Sequence, residues 1–151
     1  MFGLLYGLYE YVFRKAEVRL LVLGPDRAGK TCLLERAKFA LGGPPGLPSS
    51  QVTPTVGLNI GRAEQSGTKL VFWDLGGQAG LRSIWEKYYG EAHAVVYVVD
   101  ASDAEKLEDA RGAMARALSS EELDGAPLLV VANKQDVPGA MGVAEVEEAL
   151  G

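Results

Sequence analysis

The chain has 151 residues, 48% of them hydrophobic and 23% charged, with a formal net charge of −5. These values are typical of one globular domain and argue against intrinsic disorder. A single cysteine and a single histidine exclude a disulfide framework and a zinc site built from Cys and His. Since acidic residues outnumber basic ones, 20 to 15, the composition provides no electrostatic basis for nucleic-acid binding.

Residues 2–13, with the sequence FGLLYGLYEYVF, predict an N-terminal helix with a wide apolar arc. Two placements fit this arc: the helix lies on a membrane surface with its aromatic side towards the headgroups, or it packs into a groove of its own domain. N-myristoylation is not expected, because Phe2 follows the initiator Met where that modification needs glycine. We therefore expect an amphipathic helix at residues 1–15, followed by a globular domain at residues 16–151.

Strand and helix patterns alternate along the rest of the chain. Apolar runs predict strands at 18–23, 58–63, 69–74, 94–99 and 128–132. Helical spacing predicts helices at 30–40, 85–89 and 103–118, and a further one that begins at 143. Ser102 is the expected N-cap of the helix at 103–118. This alternation predicts an α/β fold, a sheet with helices on both faces.

The segment from Gly24 to Thr31, GPDRAGKT, matches the phosphate-loop pattern G-x-x-x-x-G-K-[ST]. It follows an apolar strand and opens a helix, which is the context that the pattern needs. Its glycines let backbone N–H groups turn towards phosphate oxygens, and the helix N-terminus favours the same anion. Lys30 supplies a positive charge to the β- and γ-phosphates, and the Thr31 hydroxyl is a ligand for Mg²⁺.

Asp74 ends the third predicted strand and is followed by Leu75-Gly76-Gly77-Gln78. A carboxylate at the carboxyl end of a strand lies where α/β proteins bind ligands, and it can hold Mg²⁺ through a water molecule. The two glycines allow the backbone to approach a γ-phosphate closely. Gln78 can orient an attacking water without acting as a strong base.

The segment Thr53-Pro54-Thr55-Val56-Gly57 lies between the first helix of the domain and the second strand. It offers a second hydroxyl ligand for Mg²⁺ from a loop that orders around a γ-phosphate. Thr55 is the first candidate for that ligand and Thr53 is the alternative. A threonine-rich entry into a strand is the purely structural interpretation.

The segment Asn133-Lys134-Gln135-Asp136 follows the last predicted strand. A carboxylate such as that of Asp136 can accept hydrogen bonds from guanine N1–H and the 2-amino group, and adenine lacks this pair of donors. Asn133 can tie neighbouring loops together, and the stem of Lys134 can lie over the face of the base. The segment therefore predicts selectivity for a guanine nucleotide.

The ordered motifs GPDRAGKT, TPTVGLNIG, FWDLGGQ, YY and NKQD resemble those of the Ras-like small GTPases. The form WDLGGQ, with its double glycine and preceding tryptophan, resembles the ADP-ribosylation factor (Arf) group among them. The resemblance implies a P-loop NTPase fold of the Ras-like type, a three-layer α/β/α sandwich. It also implies a GTP/GDP switch that hydrolyses GTP with Mg²⁺.

The same resemblance assigns roles at the site. Lys30 on the phosphates and Gln78 on the attacking water are the expected catalytic residues, and the Gly77 amide is expected on the γ-phosphate. The Mg²⁺ ligands that it implies are Thr31, Thr55 and, through a water molecule, Asp74. The residues expected to contact GTP are Gly24, Pro25, Asp26, Arg27, Ala28, Gly29, Lys30, Thr31, Cys32, Asp74, Gly77, Gln78, Asn133, Lys134 and Asp136.

For the cell, the resemblance implies a role in vesicle trafficking and protein transport. The chain is expected in the cytoplasm, reversibly associated with membranes of the Golgi and trans-Golgi network. Attachment would occur through Phe2–Phe13 in the GTP state, after the hairpin at 59–73 slides and expels the helix from its groove. The implied partners are an exchange factor, a GTPase-activating protein, effectors and a membrane surface, and nucleic acid is not among them.

A few positions depart from the family pattern. Cys32 follows Thr31 where the family usually has another threonine, which predicts a weakened phosphate or backbone contact. Ala79-Gly80 stand where an acidic residue is common, which predicts a looser second switch. Arg27 and Arg82 are both interpreted as surface residues rather than catalytic ones. Intrinsic hydrolysis is therefore expected to be slow, and an arginine supplied by a partner would raise the rate about 10³–10⁵-fold.

A Ras-like domain has a sixth strand and a final helix, and the sequence ends at Gly151 before segments that predict them. We therefore expect a C-terminally truncated fold that lacks both, with the strand at 128–132 as an unpaired apolar edge. Low stability, aggregation and weak guanine binding would follow from the exposed surface. A non-enzymatic fragment with weak nucleotide binding is the alternative function. A small-molecule kinase is a third hypothesis, which the segment at 133–136 disfavours.

Overall fold

The computed structural model of the protein describes residues 2–13 and 16–151. Its strands are β1 (Glu17–Leu23), β2 (Leu58–Gln65), β3 (Thr68–Leu75), β4 (Ala94–Asp100) and β5 (Leu128–Asn133). Its helices are α1 (Phe2–Phe13), α2 (Lys30–Ala40), α3 (Glu86–Tyr89), α4 (Ala104–Leu118) and α5 (Val143–Leu150). The five strands form one sheet in the order β2-β3-β1-β4-β5.

Helices cover both faces of the sheet because the central strands are apolar on both sides. On β1, Leu21 and Leu23 belong to a core cluster with residues of α4 and α5, whereas Val22 belongs to a second cluster with Leu34 of α2. Neighbouring side chains on a strand point to opposite faces, so each central strand contributes to both clusters. The predicted α/β fold with helices on both faces is confirmed.

The sheet topology brings the sequence motifs to one edge. Strands β3, β1, β4 and β5 run parallel, and β2 pairs with β3 in an antiparallel hairpin. The loop at 24–31 follows β1, Asp74 lies near the end of β3, and Asn133 ends β5. The carboxyl ends of parallel strands meet at the edge of the sheet where α/β proteins bind ligands. Segments far apart in the sequence, such as those containing Ala28 and Asn133, therefore converge.

The described apolar side chains of α1 are exposed. Leu4 is 83% exposed, Leu8 58% and Val12 62%. No helix among the described residues has the length and apolar character that crossing a membrane requires. The predicted boundary between this helix and the following domain, after residue 15, adjoins residues 14 and 15, which lie outside the described residues.

The N-cap of α4 is Asp103, whose carboxylate accepts a hydrogen bond from the Lys106 backbone N–H. The prediction of Ser102 as the cap was wrong by one residue. The Ser102 hydroxyl instead donates to the Asp100 carboxylate at 2.5 Å. Serine and aspartate are both good caps, so the local sequence alone did not distinguish them.

Strand β5 lies at the edge of the sheet, as expected. Leu128 is 39% exposed, Leu129 59% and Val130 37%. Partial exposure of three consecutive apolar side chains on an edge strand confirms the prediction of an apolar edge at this position.

Candidate functional site

The loop between β1 and α2 folds around the side chain of Lys30. The ammonium nitrogen of Lys30 donates to the carbonyl oxygens of Gly24 at 2.9 Å and Pro25 at 2.8 Å. Gly29 directly precedes α2 with a φ of 94°, a left-handed conformation that favours glycine. The helix therefore begins with its free N–H groups at the loop, where an anion can accept hydrogen bonds from them.

Lys30 carries a buried charge in this loop. Burial removes water from the ammonium group and lowers its pKa to about 8, although the carboxylates of Asp74 and Asp26 oppose that shift. An anion placed against Lys30 would stabilise the protonated form. The environment of Lys30 is therefore suited to bind phosphate groups.

Three oxygen-bearing side chains from distant segments meet beside the loop. The hydroxyl oxygens of Thr31 and Thr55 lie 2.9 Å apart. Both hydroxyls contact Oδ2 of Asp74, at 2.5 Å from Thr31 and 3.3 Å from Thr55. Thr55 thus makes the contacts expected of the second hydroxyl ligand. The alternative, Thr53, lines the adjacent cavity together with Thr55. The structure brings together the three residues that were predicted to hold Mg²⁺.

This cluster fits a small divalent cation. Asp74 is fully buried, and its Oδ1 atom has no hydrogen-bond partner among the described residues. A buried carboxylate without full compensation is costly, and a cation relieves that cost. Hydroxyl and carboxylate oxygens are the ligand type that Mg²⁺ prefers. The donor set therefore fits Mg²⁺, which would take its remaining oxygen ligands from water or phosphate.

Gly77 lies directly against the phosphate loop. A Cβ atom on Gly77 would collide with the backbone of Gly24, Pro25 and Asp26. Only a glycine at position 77 therefore allows the segment after β3 to approach the phosphate loop this closely. A cavity of about 220 Å³ lies between them, and its lining residues include Asp26, Arg27, Gly29, Lys30, Thr31, Cys32, Thr53, Thr55, Gly77 and Lys134.

The other predicted site residues are not among those that line this cavity. Gly24, Pro25 and Ala28 are buried parts of the loop, and Gln78 and Asp136 are exposed to solvent. A larger groove of about 530 Å³ lies between α2 and the segment at 45–49, and Cys32 lines both spaces. The smaller cavity is the one that contains the predicted phosphate-binding and metal-binding residues.

The segment after β5 is anchored to the phosphate loop and to β4. The Asn133 side-chain amide donates to the Ala28 carbonyl at 2.9 Å, which confirms that Asn133 ties neighbouring loops together. The Lys134 ammonium donates to the Asp100 carboxylate at 2.6 Å. Burial works to raise the pKa of Asp100, but hydrogen bonds from Lys134 and Ser102 outweigh it and hold the pKa below its ordinary value. Asp100 was missed in the sequence, although its place at the end of β4 was a signal.

The structure corrects the interpretation of Arg82 as a surface residue. The Arg82 side chain is 10% exposed, whereas that of Arg27 is 76% exposed, as predicted. Arg82 forms two hydrogen bonds with the Asp109 carboxylate of α4 and one with the Gly77 carbonyl. The sequence contains no local sign of this arrangement, because Asp109 lies 27 residues further along the chain.

The chain is similar to several known proteins. Residues 5–151 match the ADP-ribosylation factor family. ADP-ribosylation factor-related protein 1 of Rattus norvegicus is 47% identical over 99% of this chain and 75% of that protein. ADP-ribosylation factor 1 of Brassica rapa subsp. pekinensis is 42% identical over 95% of this chain and 75% of that protein. The small GTPase Arl6 BBS3 of Trypanosoma brucei, with bound nucleotide analogue GppNp, has a TM-score of 0.77 and 31% identity over 89% of this chain and 77% of that chain.

Proposed function

The chain belongs to the ADP-ribosylation factor family, and we propose that it acts at Golgi membranes as a regulator of vesicle trafficking and protein transport. It is a small GTPase, a GTP/GDP switch that uses Mg²⁺. Members of the family act with exchange factors, GTPase-activating proteins and effectors. The small-molecule kinase hypothesis is excluded by the family, since its members are GTPases.

The contact of Thr55 with Thr31 and Asp74 is the observation that carries the switch mechanism. Thr55 comes from a loop, whereas Thr31 and Asp74 lie in α2 and β3. A γ-phosphate and its Mg²⁺ can hold such a loop in place, and hydrolysis releases it. Mg²⁺ at this cluster would neutralise negative charge on the β- and γ-phosphates.

Hydrolysis requires a positioned water and stabilisation of developing charge. We assign Gln78 to orient the water, whose oxygen attacks the γ-phosphorus. The bond from the γ-phosphorus to its bridging oxygen then breaks, and GDP and inorganic phosphate are formed. Lys30 stabilises the negative charge on the phosphate oxygens. Since Arg82 is held by Asp109, a rapid reaction needs an arginine from an activating protein.

Selectivity for guanine is the property to test first. Asp136 is exposed two residues after Lys134, which lines the cavity, and its carboxylate is free to accept from guanine N1–H and the 2-amino group. Displacement of fluorescent GDP from the Mg²⁺-loaded protein should require far less GTP than ATP. Asp136→Asn should weaken GDP binding about a hundredfold or more, because the negative charge is lost and the amide NH₂ faces the 2-amino group, donor to donor. The same variant should gain affinity for xanthine nucleotides, which offer a carbonyl in place of the 2-amino group.

Asp124→Asn is the matched control, because Asp124 is also exposed and its replacement removes the same charge. It should leave the affinity for GDP unchanged. Tighter binding of ATP than of GTP would reject the proposed selectivity. Weak binding of every nucleotide by the wild-type chain would instead support the alternative of a non-enzymatic fragment.

The exposed apolar surface of α1 supports membrane recruitment. Leu4→Glu introduces a charge at a side chain that is 83% exposed, so the fold should tolerate it while membrane insertion becomes costly. Val143→Glu is the control, since Val143 is 72% exposed on a different helix. Sedimentation with vesicles of phosphatidylcholine and phosphatidylserine should decrease for Leu4→Glu alone. Equal sedimentation of both variants would contradict attachment through Phe2–Phe13.

A further inference from the structure

Two side chains from the segment after β3 hold the carbonyls of the consecutive glycines Gly76 and Gly77. The indole N–H of Trp85 donates to the Gly76 carbonyl at 3.0 Å. The Nε–H of Arg82 donates to the Gly77 carbonyl at 2.8 Å. Trp85 is 2% exposed and the Arg82 side chain 10%, so both hydrogen bonds are shielded from solvent.

These hydrogen bonds also fix the direction of two backbone N–H groups. In a planar trans peptide, the carbonyl and the N–H of the next residue point in opposite directions. Holding the Gly76 carbonyl therefore orients the Gly77 N–H, and holding the Gly77 carbonyl orients the Gln78 N–H. Gly77 lies against the phosphate loop and lines the cavity, so the oriented N–H groups belong to the segment that meets a γ-phosphate.

Arg82 is in turn anchored to α4. Its guanidinium donates to both Asp109 carboxylate oxygens, at 2.8 and 2.5 Å, and lies 5.8 Å from the centre of the Trp85 ring. The hydrogen bond from Arg82 lowers the pKa of Asp109, so the pair stays ionised at neutral pH. Helix α4 is packed into the core through Leu107 and Ala110, on either side of Asp109. Asp109 is thus held by a packed helix, whereas residues 76–78 lie in a loop.

We propose that Asp109, Arg82 and Trp85 form a positioning clamp that holds the Gly76-Gly77-Gln78 backbone ready for a γ-phosphate. The clamp sets the preference of the protein for GTP over GDP, because GDP has no group at that position. This inference rests on the proposed role of the Gly77 amide. None of the three side chains is assigned contact with the nucleotide, so they act through the glycine backbone.

The sharpest test replaces Asp109, which is 49% exposed at its side chain and lies outside the cavity lining. Asp109→Asn keeps the size of the side chain and removes the charge that fixes Arg82. The affinity for a non-hydrolysable GTP analogue should fall about tenfold, since a mobile loop must be ordered on binding. The affinity for GDP should remain within about twofold of wild type. Asp109→Glu, which restores a carboxylate, should recover part of the lost affinity.

Glu108→Gln is the matched control. Glu108 is the neighbouring residue on α4, 84% exposed at its side chain, and the substitution removes the same charge. It should leave both affinities unchanged. Arg82→Lys, which keeps the charge and loses the forked guanidinium, should reproduce the effect of Asp109→Asn, and the double variant should be no worse than either single variant.

An equal loss of affinity for both nucleotides would overturn the proposal, because it would show that Asp109 supports only the general fold. Unchanged affinities in Asp109→Asn would overturn it too. Failure of the proposed GTPase function would look different: the wild-type protein would then fail to bind either guanine nucleotide, or would prefer ATP.

Discussion

The ionisation of Lys30 links nucleotide binding to pH. Its pKa of about 8 arises from burial, which the carboxylates of Asp74 and Asp26 offset only in part. Below pH 8 the ammonium group is already protonated and can meet phosphate oxygens directly. Above pH 8 the free protein has lost this proton, and binding must take it up again. Nucleotide affinity should therefore fall as pH rises through 8, by up to about tenfold per pH unit.

Calorimetry in two buffers with different ionisation enthalpies measures this proton uptake. Wild-type protein should take up about half a proton per GDP at pH 8 and almost none at pH 6.5. Lys30→Arg is the control, because a guanidinium remains protonated throughout this range. A binding enthalpy at pH 8 that is independent of the buffer would contradict the linkage.

The motif residues could be predicted from the sequence because their spacing encodes local backbone geometry. Lys30 follows Gly29 in a loop that forms within eight residues, and the structure shows the expected loop around its ammonium group. Arg82 and Asp109 could not be paired in the same way. Their contact depends on where α4 packs relative to the segment after β3, and no local pattern reports that distance.

At the level of elements, the alternation of apolar runs and helical spacing predicted each strand to within a few residues. The hairpin turn between β2 and β3 is Ser66-Gly67, and both residues have positive φ, 49° and 76°. Such a turn matches the right-handed twist of the strands, and its sequence is characteristic of short hairpins. Elements of this kind are determined locally, so the sequence alone is sufficient for them.

The N-cap of α4 yields a prediction about an element. Asp103→Ala should lower the free energy of unfolding by about 1 kcal/mol, because the first turn of the helix loses a side-chain acceptor. Asp103→Asn should cost less, since asparagine also caps helices, although it loses the ion pair with Lys106. Denaturant melts monitored by circular dichroism can compare the two variants with wild type. If both variants lost the same stability, the capping hydrogen bond would not be the cause.

For the whole molecule, the exposed apolar side chains of the edge strand β5 yield a prediction about solution behaviour. Leu129 is 59% exposed on β5, which is an edge strand of the sheet formed by the described residues. An apolar edge of this kind favours association between copies of the chain. Leu129→Lys should reduce this association, because a charge on an edge strand opposes pairing. Light scattering over a series of protein concentrations measures the effect.

Val143→Lys is the comparison variant, since Val143 is 72% exposed but lies on a helix. It adds the same charge without altering the strand edge, and it should scatter light as the wild-type chain does. An equal decrease in light scattering in both variants would show that the change in net charge, rather than the edge of β5, causes the effect.

The sequence by itself determined the α/β alternation, the phosphate loop, the residues expected at the metal cluster and the segment expected to recognise guanine. These features depend on spacing within short stretches, where backbone conformation and side-chain chemistry are linked directly. The tertiary structure decided that Thr55 reaches Thr31 and Asp74, and that Arg82 is held by Asp109. Those contacts join residues far apart in the chain. They form only once the sheet order and the packing of helices bring their elements together, because no local rule specifies the distance between them.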